Sequence, residues 1–364
     1  MHVSFTNLRR SYHSYRRELD LAISAVVASQ RFTLGDELQR FESEFAAYIG
    51  TRYCYGVASG TDALIIALTA LQLGPGDEVI LPVNSFIASA LAVTLIGATP
   101  IFVDVDQDTY LLDTQQVRNR ISSRTKAVMP VHLYGSPCDM GKILELAAEF
   151  RLAVVEDACQ AHGAIFAEKK MGTWGNISAF SFYPTKNLGA YGDGGAVCTD
   201  DPILADRLEL LRNYGQRVKY SHETIGRNSR LDELQSAVLR VKLRYLDANN
   251  GRRQQIASEY IRRLPHLKFQ QVDPQGRSCY HLFELEIENR DEVIRSLSQN
   301  GVETHIHYPI PIHLQKCYQE LGYVQGDFPV AERLSRQLVS LPMHEALNDV
   351  ELDYVIAKLM QITG

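Results

Sequence analysis

The chain has 364 residues, of which 45% are hydrophobic and 22% are charged, and its mean hydropathy is −0.15. These values are typical of a globular protein with a large core, and they exclude a disordered, collagen-like or coiled-coil chain. With 37 Lys and Arg against 43 Asp and Glu, the net charge of −6 provides no broad basic surface for nucleic acid or an anionic membrane. An anionic ligand must therefore be held by a local site.

Helical periodicity fills the first sixty residues and predicts an N-terminal arm of helices. From Tyr53 to about Thr199, short apolar runs alternate with helical segments, a pattern that predicts a mostly parallel sheet covered on both faces. After Asp200 a long helical stretch precedes a strand, helix, strand pattern typical of a small α+β domain. The sequence thus predicts an α/β protein with a large domain at 1–245, which includes the arm, and a small C-terminal domain at 246–364.

The six cysteines are scattered singly, without a C-x-x-C pair or histidines at zinc-finger spacing. We interpret them as small apolar residues of a reducing compartment, and we expect no metal site. The first twenty residues lack the apolar region of a signal peptide, and no apolar stretch reaches the ~20 residues that span a bilayer. We therefore expect a cytoplasmic protein without a membrane or nucleic-acid partner.

The first candidate site is a small-residue turn, Ser59–Leu64, between a predicted strand and a predicted helix. Gly60 permits close backbone approach, Thr61 offers a hydroxyl, and the free N–H groups of the helix form an anion site. An ordinary helix cap is the alternative, because Ser, Thr and Asp commonly begin helices.

The second candidate is Asp157, which follows a buried apolar strand. Ligands of open α/β sheets bind outside the carboxyl ends of the strands, so a carboxylate at this position can meet a ligand cation. A helix-capping Asp is the alternative on this stretch alone.

The third candidate is Lys186, which is preceded by the apolar and aromatic run 179–183 and followed by four glycines within nine residues. Glycines are costly within regular elements, so their density indicates close backbone approach to a bound group. Their spacing matches neither the dinucleotide G-x-G-x-x-G motif nor the P-loop, which removes the signature of a Rossmann oxidoreductase.

Together these residues fit pyridoxal phosphate. This cofactor needs an amine for a covalent bond, a carboxylate for its pyridine nitrogen and an anion site for its phosphate. Lys186, Asp157 and the Gly60–Thr61 turn supply these groups in that order. Phe86, at the end of a predicted strand, is the candidate for an aromatic contact with the cofactor ring, and a core phenylalanine is the alternative.

Several ordered motifs resemble those of the DegT/DnrJ/EryC1/StrS family of sugar aminotransferases, which are fold type I pyridoxal phosphate enzymes: SGTDALIIAL, VEDACQAHGA, SFYPTKNLGAYGDGG and GRNSRLDELQSAVL. The resemblance implies that Lys186 binds the cofactor covalently and transfers protons, and that Asp157 pairs with the pyridine nitrogen. It further implies the remaining cofactor contacts, which are Gln160 near the ring hydroxyl, Phe86 stacked on the ring, and Gly60, Thr61 and Ser181 at the phosphate.

By the same resemblance, Asn228 completes the phosphate site of a neighbouring subunit, so a homodimer is expected. One departure from the family pattern is Cys159, which stands where family members commonly have Ala. A small apolar side chain is tolerated under the ring, although the cofactor environment changes slightly.

The reaction implied by the resemblance passes an amino group from L-glutamate, through pyridoxamine phosphate, to a keto-sugar nucleotide. The motif around Tyr183 is similar to that of enzymes acting at C-3 of dTDP-3-keto-6-deoxyhexoses, whose products enter O-antigen, S-layer or antibiotic sugars. Action at C-4, on a dTDP- or UDP-sugar, stays open. Candidate substrate contacts are Tyr183, His307, Tyr308, His313 and Arg230, and structural hydrogen bonds or a surface position are the alternatives for the histidines and the arginine.

Two rivals are disfavoured. The related sugar dehydratases have His in place of the lysine, whereas this chain has Lys186. A non-catalytic regulatory or DNA-binding protein on the same scaffold needs a basic surface or an added helix-turn-helix, and the net charge of −6 argues against it.

Overall fold

The protein is described by a computed structural model that covers residues 1–363, with twelve α-helices and fifteen strands in that range. The helices are α1 (Leu8–Ser29), α2 (Asp36–Ile49), α3 (Gly60–Ala70), α4 (Ala88–Leu95), α5 (Thr114–Arg120), α6 (Met140–Phe150), α7 (Pro202–Leu211), α8 (Glu233–Leu243), α9 (Leu246–Arg263), α10 (Arg290–Gln299), α11 (Pro329–Gln337) and α12 (Asp349–Thr363).

The longer strands are β1 (Tyr53–Val57), β2 (Glu78–Pro82), β3 (Thr99–Val103), β4 (Thr125–Val128), β5 (Ala153–Asp157), β8 (Ile177–Ser181) and β9 (Gly195–Thr199). The shorter ones are β6 (Ile165–Phe166), β7 (Lys169–Lys170), β10 (Gln216–Val218), β11 (Ser221–His222), β12 (Lys268–Phe269), β13 (Gly276–Arg277), β14 (Glu284–Glu286) and β15 (Leu338–Ser340).

The seven longer strands form one sheet in the order β1-β9-β8-β5-β4-β2-β3. Only β9 runs against its neighbours, and the other strand pairs are parallel, as the sequence predicts. All residues of β2 and β9 are buried, because helices cover both faces of the sheet. The mixed α/β class is therefore confirmed.

Alternation along the strands divides the sheet core into two layers. Val154 of β5 and Phe180 of β8 belong to a cluster that includes residues of α2 and α6. Their chain neighbours Val155 and Ala179 belong to a second cluster that includes residues of α3, α4 and α7. Since successive strand residues point to opposite faces, these two helix layers lie on opposite sides of the sheet.

A local sequence signal determines where α3 begins, and this helix borders the candidate site. The Ser59 side chain accepts a hydrogen bond from the backbone N–H of Asp62 at 3.1 Å, which caps α3. The preceding strand β1 points its carboxyl end toward this cap. The N-terminus of α3, with its free N–H groups, therefore lies at the edge of the sheet where ligands bind.

The C-terminal part contains a separate three-stranded sheet, β12-β14-β15, packed with α9, α10 and α12 around a third apolar cluster. Other C-terminal residues pack elsewhere: β13 pairs with β6, and Phe328 joins the core beneath α3 and α4. The domain boundary between residues 245 and 246 stays a prediction. Within residues 1–363, none of the helices combines the length and apolar character needed to cross a membrane.

Candidate active site

A cavity of about 600 Å³ opens at the carboxyl ends of β5 and β8 and beside the N-terminus of α3. It brings together ten residues that the sequence predicts for the site: Gly60, Thr61, Phe86, Asp157, Gln160, Ser181, Tyr183, Lys186, His307 and Tyr308. Two regions face each other across it. We call Gly60, Asp157, Ser181 and Lys186 the sheet wall, and His281, His305, His307 and Tyr308 the histidine wall.

Asp157 is the last residue of β5 and is only 4% exposed. Its Oδ2 accepts a hydrogen bond from Ser89 Oγ at 2.7 Å, and its Oδ1 accepts one from the backbone N–H of Cys159 at 3.2 Å. Ser89 in turn lies 2.8 Å from Ser85 Oγ. The carboxylate is therefore held rigidly while its end still borders the cavity, which suits it to pair with a ligand cation.

At Gly60, the backbone approaches β8 so closely that no other residue fits. A Cβ atom built on Gly60 would lie 2.6 Å from Ser181 Cβ and 3.1 Å from Cys159 Sγ. The Ser181 hydroxyl therefore lies beside the first N–H groups of α3. Ser59 caps the helix, so the helix-cap alternative describes this turn correctly, and the arrangement also leaves a site for an anion such as a phosphate.

Lys186 follows β8 and lines the cavity where the sheet wall meets the histidine wall. Burial lowers the pKa of its amine, partly offset by the nearby Asp157 carboxylate. A lowered pKa increases the fraction of neutral amine, the form that attacks a carbonyl carbon. Its Nζ lies 3.4 Å from Nε2 of His281, a residue that the sequence analysis does not single out.

Gln160 and Phe86 both line the cavity and contact Tyr308. The side-chain oxygen of Gln160 accepts from the backbone N–H of Tyr134 at 2.7 Å, so its amide donates to the Tyr308 hydroxyl at 3.2 Å. The Phe86 ring lies 5.5 Å from the Tyr308 ring and keeps 51% of its surface exposed. Such exposure is not that of a core phenylalanine, and it leaves a ring available to contact a flat ligand.

His307 belongs to a side-chain relay on the histidine wall. Its Nδ1 lies 2.6 Å from Ser340 Oγ, and Ser340 donates to Glu284 Oε1 at 2.5 Å. Burial lowers the pKa of His307 to about 4, and burial raises the pKa of Glu284 to about 8. His307 is therefore neutral at pH 7, and it offers the cavity an oriented polar group without a charge.

Three predicted residues lie outside this cavity. His313 is buried outside the cavity lining, with its Nε2 3.2 Å from Glu332 Oε1 and its ring edge-on against Phe328, as the structural alternative predicts. Arg230 donates to Asn213 at 3.1 Å and also does not line the cavity of its own chain. Asn228 is exposed, and its expected role in a neighbouring subunit stays a prediction.

Sequence reasoning also missed residues that shape the cavity: Phe5, Ser89, His281 and His305. Ser89 and His281 contact the two residues with the clearest sequence signals, Asp157 and Lys186. Their own signals are weak, because Ser89 lies in an apolar helix and His281 precedes an alternating strand. Only the fold shows that they reach the site.

Comparison with known proteins finds similarity to aminotransferases both in a family model and in individual relatives. The model of the DegT/DnrJ/EryC1/StrS aminotransferase family matches residues 14–360. A Streptomyces venezuelae protein named dTDP-3-amino-3,4,6-trideoxy-alpha-D-glucose transaminase is 49% identical over 344 residues, which are 94% of this chain and 91% of the relative. An Aneurinibacillus thermoaerophilus protein named dTDP-3-amino-3,6-dideoxy-alpha-D-galactopyranose transaminase is 44% identical over 356 residues, which are 97% of this chain and 98% of the relative.

Among solved structures, the crystal structure of S. venezuelae DesV in complex with a ketimine intermediate superimposes with a TM-score of 0.97 at 48% sequence identity. The superposition covers 99% of this chain and 98% of that chain.

Proposed function

The chain belongs to the DegT/DnrJ/EryC1/StrS aminotransferase family, and from this premise we propose that it aminates C-3 of a dTDP-linked 3-keto-6-deoxyhexose, with L-glutamate as the amino donor. The enzyme is an aminotransferase that depends on pyridoxal phosphate. The observation that carries the substrate proposal is the similarity, at 49% and 44% identity, to two proteins whose names both describe transaminases of dTDP-3-amino sugars. The sugar named for the first relative has no hydroxyl at C-4, whereas the sugar named for the second is a galactose that has one, so a 4-deoxy and a galacto sugar are both candidate substrates.

The residues of the sheet wall fit the cofactor. When bound, pyridoxal phosphate carries the amino group between substrates and withdraws electrons from the reacting carbon. Gly60, Thr61 and Ser181 would hold the phosphate, because the N–H groups at the start of α3 and two hydroxyls meet there. Asp157 would pair with the pyridine nitrogen, since it is a buried carboxylate at the cavity floor.

Lys186 has two tasks in this proposal. Its amine would bind the cofactor covalently, and the lowered pKa of Lys186 favours the neutral form that makes this bond. Once released by the donor's amino group, Nζ would take the proton from the donor's α-carbon and deliver it to the cofactor carbon. Gln160, fixed by Tyr134 and Tyr308, would orient the ring hydroxyl.

The open side of the cavity would receive the hexose. Tyr183 keeps 54% of its surface exposed there, and His307 and Tyr308 face it from the histidine wall. All three present polar atoms on stiff rings, which can bind sugar hydroxyls with little loss of side-chain entropy.

We also propose a homodimer in which Asn228 serves the partner's phosphate site. Asn228 is exposed in the single chain, and the neighbouring apolar side chains Val218, Tyr220 and Ile225 are at least 69% exposed. An exposed apolar segment of this kind is typical of a surface that is covered by another subunit.

Mixing Lys186→Ala with Asn228→Asp, whose negative charge would repel the cofactor phosphate, tests the shared site, because both variants should be inactive when separate. If one subunit supplies Lys186 and the other Asn228, each mixed dimer regains one intact site, and about a quarter of the wild-type activity returns after random exchange. Mixtures that stay as inactive as the separate variants, although mass spectrometry shows mixed dimers, would contradict the shared site.

We propose that the protein works in a reducing compartment, the cytoplasm, because of the state of its cysteines. All six cysteines are free, and five are at least partly buried, which is usual where disulfides do not form. Fractionation of cells that produce the protein, followed by detection with an antibody, checks this placement.

Product analysis tests the main proposal. The enzyme is incubated with glutamate and, in parallel, dTDP-3-keto-4,6-dideoxyglucose, dTDP-3-keto-6-deoxyglucose, its galacto epimer, the 4-keto isomer and a UDP-linked 4-keto sugar. We expect amination of a dTDP-linked 3-keto sugar, detected by mass spectrometry and NMR. Turnover of a 4-keto sugar alone would move the reaction to C-4, and no turnover with any sugar or amino donor would favour a non-catalytic role.

A further inference from the structure

A chain of side-chain hydrogen bonds leads from the protein interior to the amine of Lys186. It begins at Asn250, whose Nδ2 donates to the backbone carbonyl of His162 at 2.8 Å. Asn187 Nδ2 donates both to Asn250 Oδ1 and to the backbone carbonyl of Cys279, each at 2.8 Å. Backbone carbonyls only accept hydrogen bonds, so the orientation of both amides is fixed.

This orientation determines the tautomer of His281. Since Nδ2 of Asn187 is occupied as a donor, its Oδ1 faces Nδ1 of His281 at 3.3 Å and can only accept. Nδ1 of His281 must therefore carry a proton. In a neutral imidazole, Nε2 is then a bare acceptor, and this is the atom that lies 3.4 Å from Lys186 Nζ.

The surroundings keep the imidazole neutral. His281 is 7% exposed, and burial, together with the positive charges of Lys186 and Arg253, lowers its pKa well below the ordinary value. A protonated ring would offer only donors to the amine and would repel an ammonium group. A neutral ring accepts one of the hydrogens on Nζ instead.

We propose that His281 is a positioning residue for Lys186, which holds one N–H of the free amine through the unprotonated Nε2. With one hydrogen directed at His281, the lone pair of the neutral amine is left to point into the cavity, where it can attack or remove a proton. Asn187, fixed by Asn250 and Cys279, sets the tautomer. The inference rests on the proposed role of Lys186 and adds a residue to it.

NMR of the imidazole nitrogens tests the tautomer directly. Full-length enzyme with ¹⁵N-labelled histidine is loaded with pyridoxamine phosphate, the form in which Lys186 is free, and the His281 signals are identified by their loss in His281→Gln. We expect an Nδ1–H, Nε2-bare ring from about pH 6 to about pH 9. A proton on Nε2, or a ring that titrates in this range, would overturn the proposal.

Two substitutions separate positioning from mere packing. Gln at 281 places an amide oxygen near the position of Nε2, whereas Leu fills the space without an acceptor. We expect His281→Leu to slow the single-turnover reaction with glutamate on the order of 100-fold, with melting temperatures of both variants close together, and His281→Gln to recover most of that loss. An equal loss in both variants would contradict an acceptor role.

Borohydride reduction of the pyridoxal phosphate form, followed by peptide mapping, distinguishes a failure of the proposed role of Lys186 from a failure of the proposed role of His281. A reduced label on Lys186 together with an Nε2–H ring rejects the role of His281 and leaves the proposed function intact. A label on another residue rejects the proposed role of Lys186, and the role of His281 with it, whatever the tautomer.

Discussion

The sheet wall and the histidine wall border the same cavity but are built differently. On the sheet wall, Asp157 and Ser181 are the last residues of adjacent parallel strands, and Gly60 begins the helix beside them. The topology alone brings these residues together. On the histidine wall, His281 depends on Asn187, and His307 depends on Ser340 and Glu284, which are far away in sequence. In our proposal the sheet wall thus supplies the reactive carboxylate and amine. The histidine wall supplies imidazole rings, each of which is oriented by its own hydrogen-bond partner.

This difference explains which residues the sequence reveals. Asp157 ends a strongly apolar strand and Lys186 precedes a glycine-rich loop, so both stand out in a window of about ten residues. His281 has no such signal, because the residue that orients it, Asn187, lies in a different segment. The hydrogen bond of His313 is hidden from the sequence for the same reason, because Glu332, which pairs with it, lies on a later helix.

The order of elements was similarly predictable, because helical and strand periods are local properties of the chain. The position of β9 between β1 and β8 was not, because β9 reverses direction and pairs with a strand much earlier in the sequence. The roles of the cavity residues stay predictions, and the following variants test whether the two walls differ as described.

Replacement of Lys186 by Ala should have the largest effect. It removes the amine that we propose binds the cofactor and carries the proton, so we expect the glutamate half-reaction to slow at least about 10⁴-fold, measured by absorbance in a stopped-flow instrument. The exposed Lys126→Ala, which lies on β4 away from the cavity lining, is the control and should leave the rate unchanged. A Lys186→Ala enzyme with more than about a hundredth of the wild-type rate would remove the basis for ranking the sheet wall first.

Asp157→Asn should come next. The amide keeps an oxygen for the Ser89 hydrogen bond but loses the negative charge, so stabilisation of a positive pyridine nitrogen is lost. We expect kcat to fall about 10²- to 10³-fold, in steady-state assays. Ser89→Ala, which keeps the charge, should cost far less, and equal losses would show that the position of the carboxylate matters more than its charge.

Glu284→Gln should reveal a stability cost behind the histidine wall, at the buried carboxyl that Ser340 connects to His307. Burial raises the pKa of Glu284 to about 8 from an ordinary 4.5, so between these values the folded protein holds a proton that the unfolded chain releases. Its contribution to the unfolding free energy is therefore complete below about pH 4.5 and is lost as the pH rises through about 8. Gln cannot ionise. The free energy of unfolding of the variant, relative to that of the wild type, should therefore increase by on the order of 2–4 kcal/mol from pH 5 to pH 8.

Urea unfolding at both pH values measures this gain. The exposed Glu288→Gln on the same segment is the control, and its difference from wild type should not change with pH in this way. A Glu284→Gln difference that is equal at the two pH values would contradict the raised pKa of Glu284.

Ser340→Ala should have the smallest effect of the four. It interrupts the contact between His307 and Glu284, while the His307 ring stays on the cavity wall and the Glu284 carboxyl stays buried behind it. We expect the KM for the sugar to rise by up to about 10-fold while the glutamate half-reaction is unchanged, because one net hydrogen bond contributes about 1 kcal/mol. A loss comparable to that of Lys186→Ala would end the distinction between the two walls.

The position of β9 also ties the cofactor to the folding of the chain. β1 is an edge strand that joins the sheet only through β9, and a Cβ on Gly195 would collide with Ser59, so the two segments meet closely at the turn that we propose holds the phosphate. A nascent chain that has not reached residue 199 has no such turn. Contacts between residues this far apart in sequence form slowly. A ligand present at 100 times its Kd increases the free energy of unfolding of the state that has formed them by about 2.7 kcal/mol. A shortage of the cofactor would then lower the stability of the folded enzyme as well as its activity.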